Sequence, residues 1–160
     1  MTARRTYDFT AEPPAAVLAG LLRASVGIAS ELGLVLQSPR VRLRPAGTRL
    51  LAQLAPYHIR SEEIVEWPGT RNLGGFRSLR HLYRADAGAV EAVIATCGQL
   101  YAWENPELPE DIHLLRADGS VLMGSTTQER DAWLVLDDDE HRRLRDAVGG
   151  LDELLRPHPA

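Results

Sequence analysis

The sequence contains no lysine, because all 18 of its basic residues are arginine. Without lysine the chain has no amine that could form a Schiff base, hold pyridoxal phosphate or serve as the lysine of a P-loop. Neither a G-x-G-x-x-G pattern nor a Walker A motif occurs, and we therefore expect no nucleotide and no other cofactor. We attribute the abundant arginine to a compositional bias and not to phosphate binding.

Cysteine is almost absent. The single residue, Cys97, excludes an intramolecular disulfide and agrees with a reducing compartment. It lies in a stretch, residues 90–103, whose apolar residues recur at helical spacing. This spacing predicts that Cys97 is a small buried hydrophobe on the apolar face of a helix, and not a reactive thiol.

Long hydrophobic runs are also missing. No apolar run approaches the roughly 18 residues that a membrane span needs, and no apolar stretch of the signal-peptide kind follows Arg4 and Arg5. We therefore expect a cytoplasmic protein without a membrane partner. The net charge of −4 makes general nucleic-acid binding unfavourable, and we expect no nucleic-acid partner.

Metal-binding motifs are absent as well. The five histidines show neither an H-E-x-x-H motif nor zinc-type spacing with cysteine. The acidic run at residues 137–140 lacks the alternating acids and the central glycine of an EF-hand loop. It is typical instead of the first turn of a helix, where carboxylates complement the helix dipole. The sequence predicts no metal site.

The length of 160 residues predicts one domain that covers residues 1–160. In its N-terminal part, residues 1–58, we predict a helix over residues 12–33 that ends at Gly33, a short edge strand over residues 39–45 and a short helix capped by Thr48. The arginines of the edge strand (Arg40, Arg42 and Arg44) would guard it against edge-to-edge pairing.

The second part, residues 60–148, carries stronger local signals. We predict strands over residues 61–70 and 76–86, a helix that begins at Asp86, a hairpin over residues 111–127 around Asp118-Gly119, a strand over residues 131–136 and a helix over residues 137–148. The remainder, residues 149–160, is a tail that either docks or frays. These elements predict the α+β class, with a mostly antiparallel sheet and the helices packed on one face.

Two segments combine a tryptophan with carboxylates. We predict that these acids point outward and bind a basic protein partner, because aromatic residues beside fixed charges are common at interfaces. A solvated loop is the alternative for the second segment. The predicted function is a non-enzymatic acidic interaction domain without catalytic residues, similar in role to an immunity protein, an antitoxin or an accessory regulator. The predicted partner-binding residues are Glu62, Glu63, Glu66, Trp67, Trp103, Glu104, Glu107, Glu110 and Asp111.

Two further functions stay open from the sequence. The first is a small enzyme or ligand-binding domain with a site near His113, Ser125 and Glu129, although Ser125 does not stand in a G-x-S-x-G motif. The second is a homo-oligomer in which the tail at residues 151–155 covers a sheet edge.

Four stretches together resemble a group of small uncharacterised bacterial proteins from Gram-positive genomes, loosely labelled sporulation-type proteins. The resemblance covers roughly residues 62–145. Its most specific part is the Pro-Glu-Asp run at residues 109–111 followed by the Asp118-Gly119 turn. It implies a compact accessory domain and no particular activity. The four stretches are residues 67–70, 103–112, 116–120 and 125–134.

Overall fold

The computed structural model describes residues 2–160, with four α-helices and ten β-strands. No helix in this range is long and apolar enough to cross a membrane. The helices are α1 (Ala15–Ser25), α2 (Pro45–Leu54), α3 (Ala87–Thr96) and α4 (Asp138–Ala147). The strands are β1 (Arg5–Phe9), β2 (Glu31–Leu36), β3 (His58–Ile64), β4 (Glu66–Trp67), β5 (Thr70–Arg71), β6 (Ser78–Arg84), β7 (Glu110–Leu115), β8 (Val121–Thr126), β9 (Asp131–Leu136) and β10 (Leu155–Pro157).

Eight strands form one sheet in the order β10-β1-β9-β8-β7-β2-β6-β3. Every neighbouring pair in this sheet is antiparallel, while β4 and β5 form a separate short hairpin. The predicted α+β class with an antiparallel sheet is confirmed.

All four helices pack on one side of the sheet, which we call the helix face. Successive side chains of a strand point to opposite faces, and alternate residues such as Leu32 and Leu34 of β2 or Ile112 and Leu114 of β7 join a single apolar core with the helices. The apolar stripe of each helix therefore loses its contact with water against the sheet, which is the main driving force for this arrangement. The helix residues of this core include Leu18, Leu21, Leu22, Leu50, Leu54, Ala89, Val90, Val93 and Leu144.

The opposite side of the sheet, which we call the open face, is built from the intervening residues. Two glycines make room there for large rings. A Cβ atom on Gly33 of β2 would lie 2.0 Å from Nε2 of His113, and one on Gly124 of β8 would lie 2.3 Å from Cζ2 of Trp133. Both positions exclude a side chain because a ring already occupies the space above the strand.

The predicted helix over residues 12–33 is wrong in its second half. Helix α1 ends at Ser25, and the chain turns at Gly27, which has φ +90°. Residues 31–36 form β2, a central strand of the sheet with five consecutive buried residues. A strand that is covered on both faces reads as a continuous apolar run, which periodicity cannot distinguish from a buried helix.

The predicted edge strand over residues 39–45 is also wrong. Residues 39–44 form a turn and an irregular segment, and Pro45 is the first residue of α2. The prediction that Arg40, Arg42 and Arg44 guard a sheet edge is therefore also wrong, since the described residues 39–44 form no strand. Thr48 does not cap α2, because the helix begins three residues earlier and the Thr48 N–H donates to the carbonyl oxygen of Arg44 at 3.0 Å.

The predicted strand over residues 61–70 is wrong in its second half, because β3 ends at Ile64 and the following residues form the separate β4–β5 hairpin. From residue 78 onward the chain follows its prediction closely. The hairpin β7–β8 turns at Asp118-Gly119, strand β9 covers residues 131–136, and α4 begins after Asp137. Asp137 and Glu140 form a reciprocal capping box at the start of α4. Asp86 occupies the capping position of α3 but makes no capping bond, because Arg84 donates to its carboxylate at 3.2 Å. The predicted place of Cys97 on the apolar face of a helix is wrong, because α3 ends at Thr96; Cys97 follows it, partly buried against the core.

The two ends of the chain pair with each other. Strand β1, which the sequence did not predict, lies between β9 and β10. Residues 155–157 of the tail form β10, so this end of the chain docks on β1 and does not fray. The tail therefore covers a sheet edge of its own chain. At the other side of the sheet, β3 is the outermost strand.

Candidate functional site

The connection between β3 and β6, residues 65–77, crosses the open face, and we call it the strap. It contains the β4–β5 hairpin, whose Gly69 lies against the ring of Trp133 in β9. The strap therefore reaches from one edge of the sheet to a strand far across it. Gly69 has φ +77°, and a Cβ atom there would lie 2.3 Å from Cη2 of Trp133. Glycine is required at this crossing for both reasons.

Trp67 ties the strap to the sheet. Its indole N–H donates to Oδ2 of Asp111 at 2.8 Å, and the backbone N–H of Thr127 donates to Oδ1 of the same carboxylate at 2.8 Å. The Asp111 side chain thus joins the strap to the β8–β9 turn. Both residues are almost fully buried, at 7% exposure for Trp67 and 5% for Asp111.

An irregularity in β7 directs two consecutive carboxylates to the same side. Gly33 of β2 pairs with His113, whereas Val35 pairs with Glu110, so that β7 carries one extra residue at this point. Asp111 takes up the extra residue with φ +55°, a left-handed conformation that is uncommon outside glycine. Because of this bulge, Glu110 and Asp111 both line the open face, where a regular strand would separate them.

These carboxylates lie in a cleft of about 380 Å³ between the strap and the open face. Its wall combines aromatic rings, amides, hydroxyl groups and acids, and it contains no basic side chain. The lining residues are Gln37, Trp67, Thr70, Asn72, Phe76, Ser78, Glu110, Asp111, Thr126, Gln128 and Glu129.

Glu110 holds its proton unusually firmly. Burial, reinforced by the neighbouring charge of Asp111, raises the pKa of the Glu110 carboxyl from 4.5 to about 7. The side-chain amide of Gln37, which donates to Oε2 at 3.2 Å, offsets only part of this effect. At neutral pH this carboxyl therefore exchanges readily between its protonated and ionised forms.

Burial also raises the pKa of Asp111, against the opposing effect of the N–H groups of Thr127 and Trp67. Within residues 2–160, neither Glu110 nor Asp111 has an arginine or histidine nitrogen at ion-pair distance. Other partly buried acids are neutralised, as Glu62 is by Arg80 and Glu140 by Arg116. The cleft therefore holds two acids without a cation from the chain itself. No cluster of three or more histidine, cysteine or acidic side chains in this same range could hold a metal ion.

A hydroxyl group in the cleft also lacks a partner. Thr126 lies at the end of β8 and is 5% exposed, and its Oγ1 makes no hydrogen bond in the described part of the chain. A buried hydroxyl without a partner costs about 1–3 kcal/mol. Such a group is uncommon in a folded protein.

His113 lies beneath the strap, fully enclosed above Gly33. Its Nδ1 donates to the carbonyl oxygen of Asp111 at 2.8 Å, while Nε2 has no partner among the described residues. Burial lowers the pKa of this imidazole to about 4, so the ring is neutral at physiological pH. The hydrogen bond from Nδ1 supports the backbone of the bulge.

Apart from Trp103, the structure divides the predicted partner-binding residues into three groups. Trp67, Glu110 and Asp111 meet at the cleft, but facing inward, so the expectation that they point outward is wrong for these three. Glu63, Glu66, Glu104 and Glu107 are exposed as predicted. Glu62 is half-buried, and Arg60 and Arg80 pair with it on the open face. The two acidic segments thus meet only through the bond from Trp67 to Asp111.

Trp103 belongs to the core and not to a surface. It is fully buried among the helices, and its indole N–H donates to the carbonyl oxygen of Cys97 at 3.3 Å. The expected partner contact of Trp103 is therefore wrong. The large apolar area of the indole explains this placement, because burial of that area outweighs the polarity of the flanking acids.

The alternative site near His113, Ser125 and Glu129 does not form as one cluster. The hydroxyl group of Ser125 donates to the carbonyl oxygen of Ile112 at 2.7 Å, and Ser125 pairs with Ala132, which belongs to the core on the helix face. His113 lies on the opposite face. Of the three, only Glu129 lines the cleft. A serine nucleophile activated by His113 is excluded by this separation.

Sequence reasoning missed several residues of the cleft. Gln37 follows β2, of which the predicted helix covers only residues 31–33. Asn72 lies in the strap between the two predicted strands, and Phe76 is the first residue of the predicted strand over residues 76–86. The one local signal was the polar pair Glu110-Asp111 at the start of an otherwise apolar strand.

Comparisons of the chain with protein-family models, with curated proteins and with solved structures found no match. The resemblance to sporulation-type proteins therefore stays a prediction.

Proposed function

We propose that the chain is a protein-interaction domain whose cleft receives an arginine side chain from a basic partner protein. The observation that carries this proposal is the pair Glu110 and Asp111, two nearly buried carboxylates that face a cleft without a cation. Burial of a carboxylate is unfavourable unless a positive group pairs with it. An incoming cation supplies that group.

The cleft wall favours a guanidinium over an ammonium ion. A guanidinium is planar and donates up to five hydrogen bonds in a fixed fork, which suits adjacent carboxylates and amide oxygens. Gln37 and Gln128 bring such oxygens to the cleft, and the ring of Phe76 at its rim offers a surface on which a guanidinium stacks.

The rim favours a protein as the source of the arginine. Leu73 and Phe76 of the strap are large apolar residues with exposures of 80% and 74%. Exposed apolar side chains beside a charged cleft are typical of a protein interface. A role as an immunity protein, an antitoxin or an accessory regulator in the cytoplasm agrees with this chemistry.

Protonation of Glu110 competes with the cation. Only the ionised carboxyl forms an ion pair, and its pKa of about 7 makes it mostly protonated one pH unit below that value. If binding requires ionised Glu110, affinity falls about tenfold between about pH 8 and pH 6. Binding of the cation then releases a proton near neutral pH.

The test uses small capped amino acids as probes, because the partner is not identified. N-acetyl-arginine amide is titrated into the protein while backbone amide shifts are followed by NMR. We expect shifts at residues 110–111 and 126–129 and a dissociation constant on the order of 1 mM, as suits a single side chain. N-acetyl-citrulline amide, which has nearly the same shape without the charge, should bind at least about tenfold more weakly.

Matched variants make the test specific. Glu110→Gln removes one negative charge inside the cleft, whereas Glu107→Gln removes one from an exposed position of the same segment. Arginine amide should lose affinity for the first variant and keep it for the second. Equal binding to both variants, or equal binding of the citrulline probe, would refute the proposal.

A second candidate is an enzyme that uses Glu110 as a general acid–base group. The observation that favours it is the pKa of about 7, which lies where proton transfer at neutral pH is most effective. A screen of hydrolase and isomerase substrates would test it. Turnover that depends on Glu110, and that Glu110→Gln abolishes at every pH, is the expected result if this candidate holds.

A further inference from the structure

The two edges of the main sheet differ in their capacity to pair. Strand β10 has three residues, ends at Pro157 and is followed by Pro159, and proline cannot donate to a further strand. Strand β3 has seven residues and no proline. Within residues 2–160, its only strand partner is β6 on its inner side. An uncovered strand of this length presents a row of backbone donors and acceptors for another chain.

Two residues of opposite charge flank the midpoint of β3. Ser61 is the central residue, Arg60 precedes it and Glu62 follows it. Arg60 and Glu62 lie on the open face, where their side chains approach each other to 3.6 Å. On the inner side, Arg60 also pairs with Glu31 and Glu62 with Arg80. Opposite charges thus alternate from strand to strand up to the edge.

We propose that two copies of this chain associate through their β3 strands, antiparallel and centred on Ser61, to form one continuous sheet. A two-fold axis perpendicular to the sheet then sets Ser61 opposite Ser61 of the second copy, and Arg60 opposite Glu62 in both directions. The register of β3 with β6 shifts between His58 and Arg60, so the regular part of the strand is Arg60–Ile64. Within that part, the proposed pairing sets the central residues 60–62 directly against one another and continues the alternation of charge. Opposite charges on directly facing residues stabilise a strand pair.

The neighbouring symmetric registers are unfavourable. A pairing centred on Arg60 sets two arginines against each other, and one centred on Glu62 sets two glutamates against each other, which is destabilising. Charged residues on an edge strand often prevent pairing. In β3, however, the charges repel in these two registers and attract in the central one, so they select one register. The interface is small, so the dimer is expected to be concentration-dependent.

Cysteine crosslinking tests the register directly. In a Cys97→Ala background, Ser61→Cys sets two thiols on facing residues, whose Cα atoms lie about 4.5–5.5 Å apart in an antiparallel pair, within the range of a disulfide. The matched control is Glu63→Cys, an exposed residue of the same strand. Its Cα atom would lie roughly 13 Å from its copy, too far to react. Mild oxidation should crosslink the first variant and not the second.

Charge reversal tests the pairing without relying on a single variant. Arg60→Glu gives a strand with two facing acids in each pair, and Glu62→Arg gives one with two facing arginines. Each variant alone should dimerise at least about tenfold more weakly than the wild type. A mixture of the two restores opposite charges across the axis and should form a heterodimer in sedimentation velocity. Misfolding of a variant would not produce this rescue.

The proposed dimer does not depend on the proposed binding of arginine in the cleft, and each proposal can be refuted without the other. A wild-type chain that stays monomeric up to its solubility limit overturns it and identifies the charges of β3 as a guard against pairing. Equal crosslinking of both cysteine variants overturns the register, as does a mixture of the charge variants that does not associate.

Discussion

The helix face and the open face of the sheet are made from alternate residues of the same strands, yet they differ in almost every property. On the helix face, leucine, isoleucine and valine side chains pack with four helices into one core. On the open face a single strap covers glycines, a neutral histidine, ion pairs and two acids that no cation neutralises. Apolar packing on one side supplies the stability that permits unfavourable polar groups on the other.

Replacement of Trp103 and of Trp67 by alanine should show the largest difference in stability between the helix face and the open face. Trp103→Ala empties a site in the core and should lower the free energy of unfolding by about 3–5 kcal/mol. Trp67→Ala should cost less, about 1–2 kcal/mol, because the strap can move without opening the core. Chemical denaturation of both variants measures the difference. Equal losses would show that the strap is part of the same cooperative unit as the core.

The next largest effect concerns pH. The pKa of Glu110 is raised to about 7 in the folded protein from 4.5, so the folded state binds more protons than the unfolded state between these values. The stabilising contribution of the protonated carboxyl is therefore complete below pH 4.5 and is lost as pH rises through 7.

The glutamine side chain of Glu110→Gln does not titrate, so this variant does not lose stability as the pH rises through 7. Relative to the wild type, it should gain up to about 2–3 kcal/mol in free energy of unfolding between pH 4.5 and about pH 8. Denaturation of both proteins across this range checks the sign. Parallel pH profiles would mean that the carboxyl is well solvated and that the cleft is not an unfavourable environment for its charge.

Close packing on the open face can be tested at Gly33. In Gly33→Ala the new Cβ atom would meet the ring of His113, and overpacking of this kind costs about 1–3 kcal/mol. His113→Ala in the same chain removes the ring that the new Cβ atom would meet. The double variant should therefore have nearly the same free energy of unfolding as His113→Ala alone. A double-mutant cycle by denaturation measures this coupling. Additive losses would contradict the contact.

The smallest expected effects come from two neighbouring hydroxyl groups on opposite faces. Ser125→Ala removes a buried hydrogen bond to the carbonyl oxygen of Ile112 and should cost about 1 kcal/mol. Thr126→Val removes a hydroxyl group that has no partner and should leave the free energy of unfolding unchanged or raise it by up to about 1 kcal/mol. Thermal denaturation can compare them. A loss at Thr126 equal to that at Ser125 would mean that its hydroxyl is already satisfied.

Prediction from the sequence succeeded where the signal was local. The Asp118-Gly119 turn between two apolar stretches identified the β7–β8 hairpin, and the acids from Asp137 onward identified the start of α4. Each of these signals depends on residues a few positions apart, whose backbone geometry is set by their own chemistry.

Prediction failed where an element depends on distant partners. The segment over residues 31–36 reads equally well as a buried helix or a buried strand, and only its pairing with β6 and β7 makes it β2. Strand β1 needs β9 and β10, which lie at the far end of the chain. The candidate site was predicted in part. Glu110, Asp111 and Trp67 were selected for their chemistry, but as exposed residues.

The sequence by itself determined the class of the fold, most elements of the second half and the chemical character of the groups that line the cleft. Only the tertiary structure decided which side of the sheet each group faces. The two Trp-plus-acid segments are alike in composition, yet Trp103 lies in the core and Trp67 holds a strap over a cleft. The indole of Trp103 is buried because of its large apolar area. Asp111 faces the cleft for a different reason: the side chains of a strand alternate between the two faces, and one extra residue at the bulge in β7 moves this side chain from one face to the other.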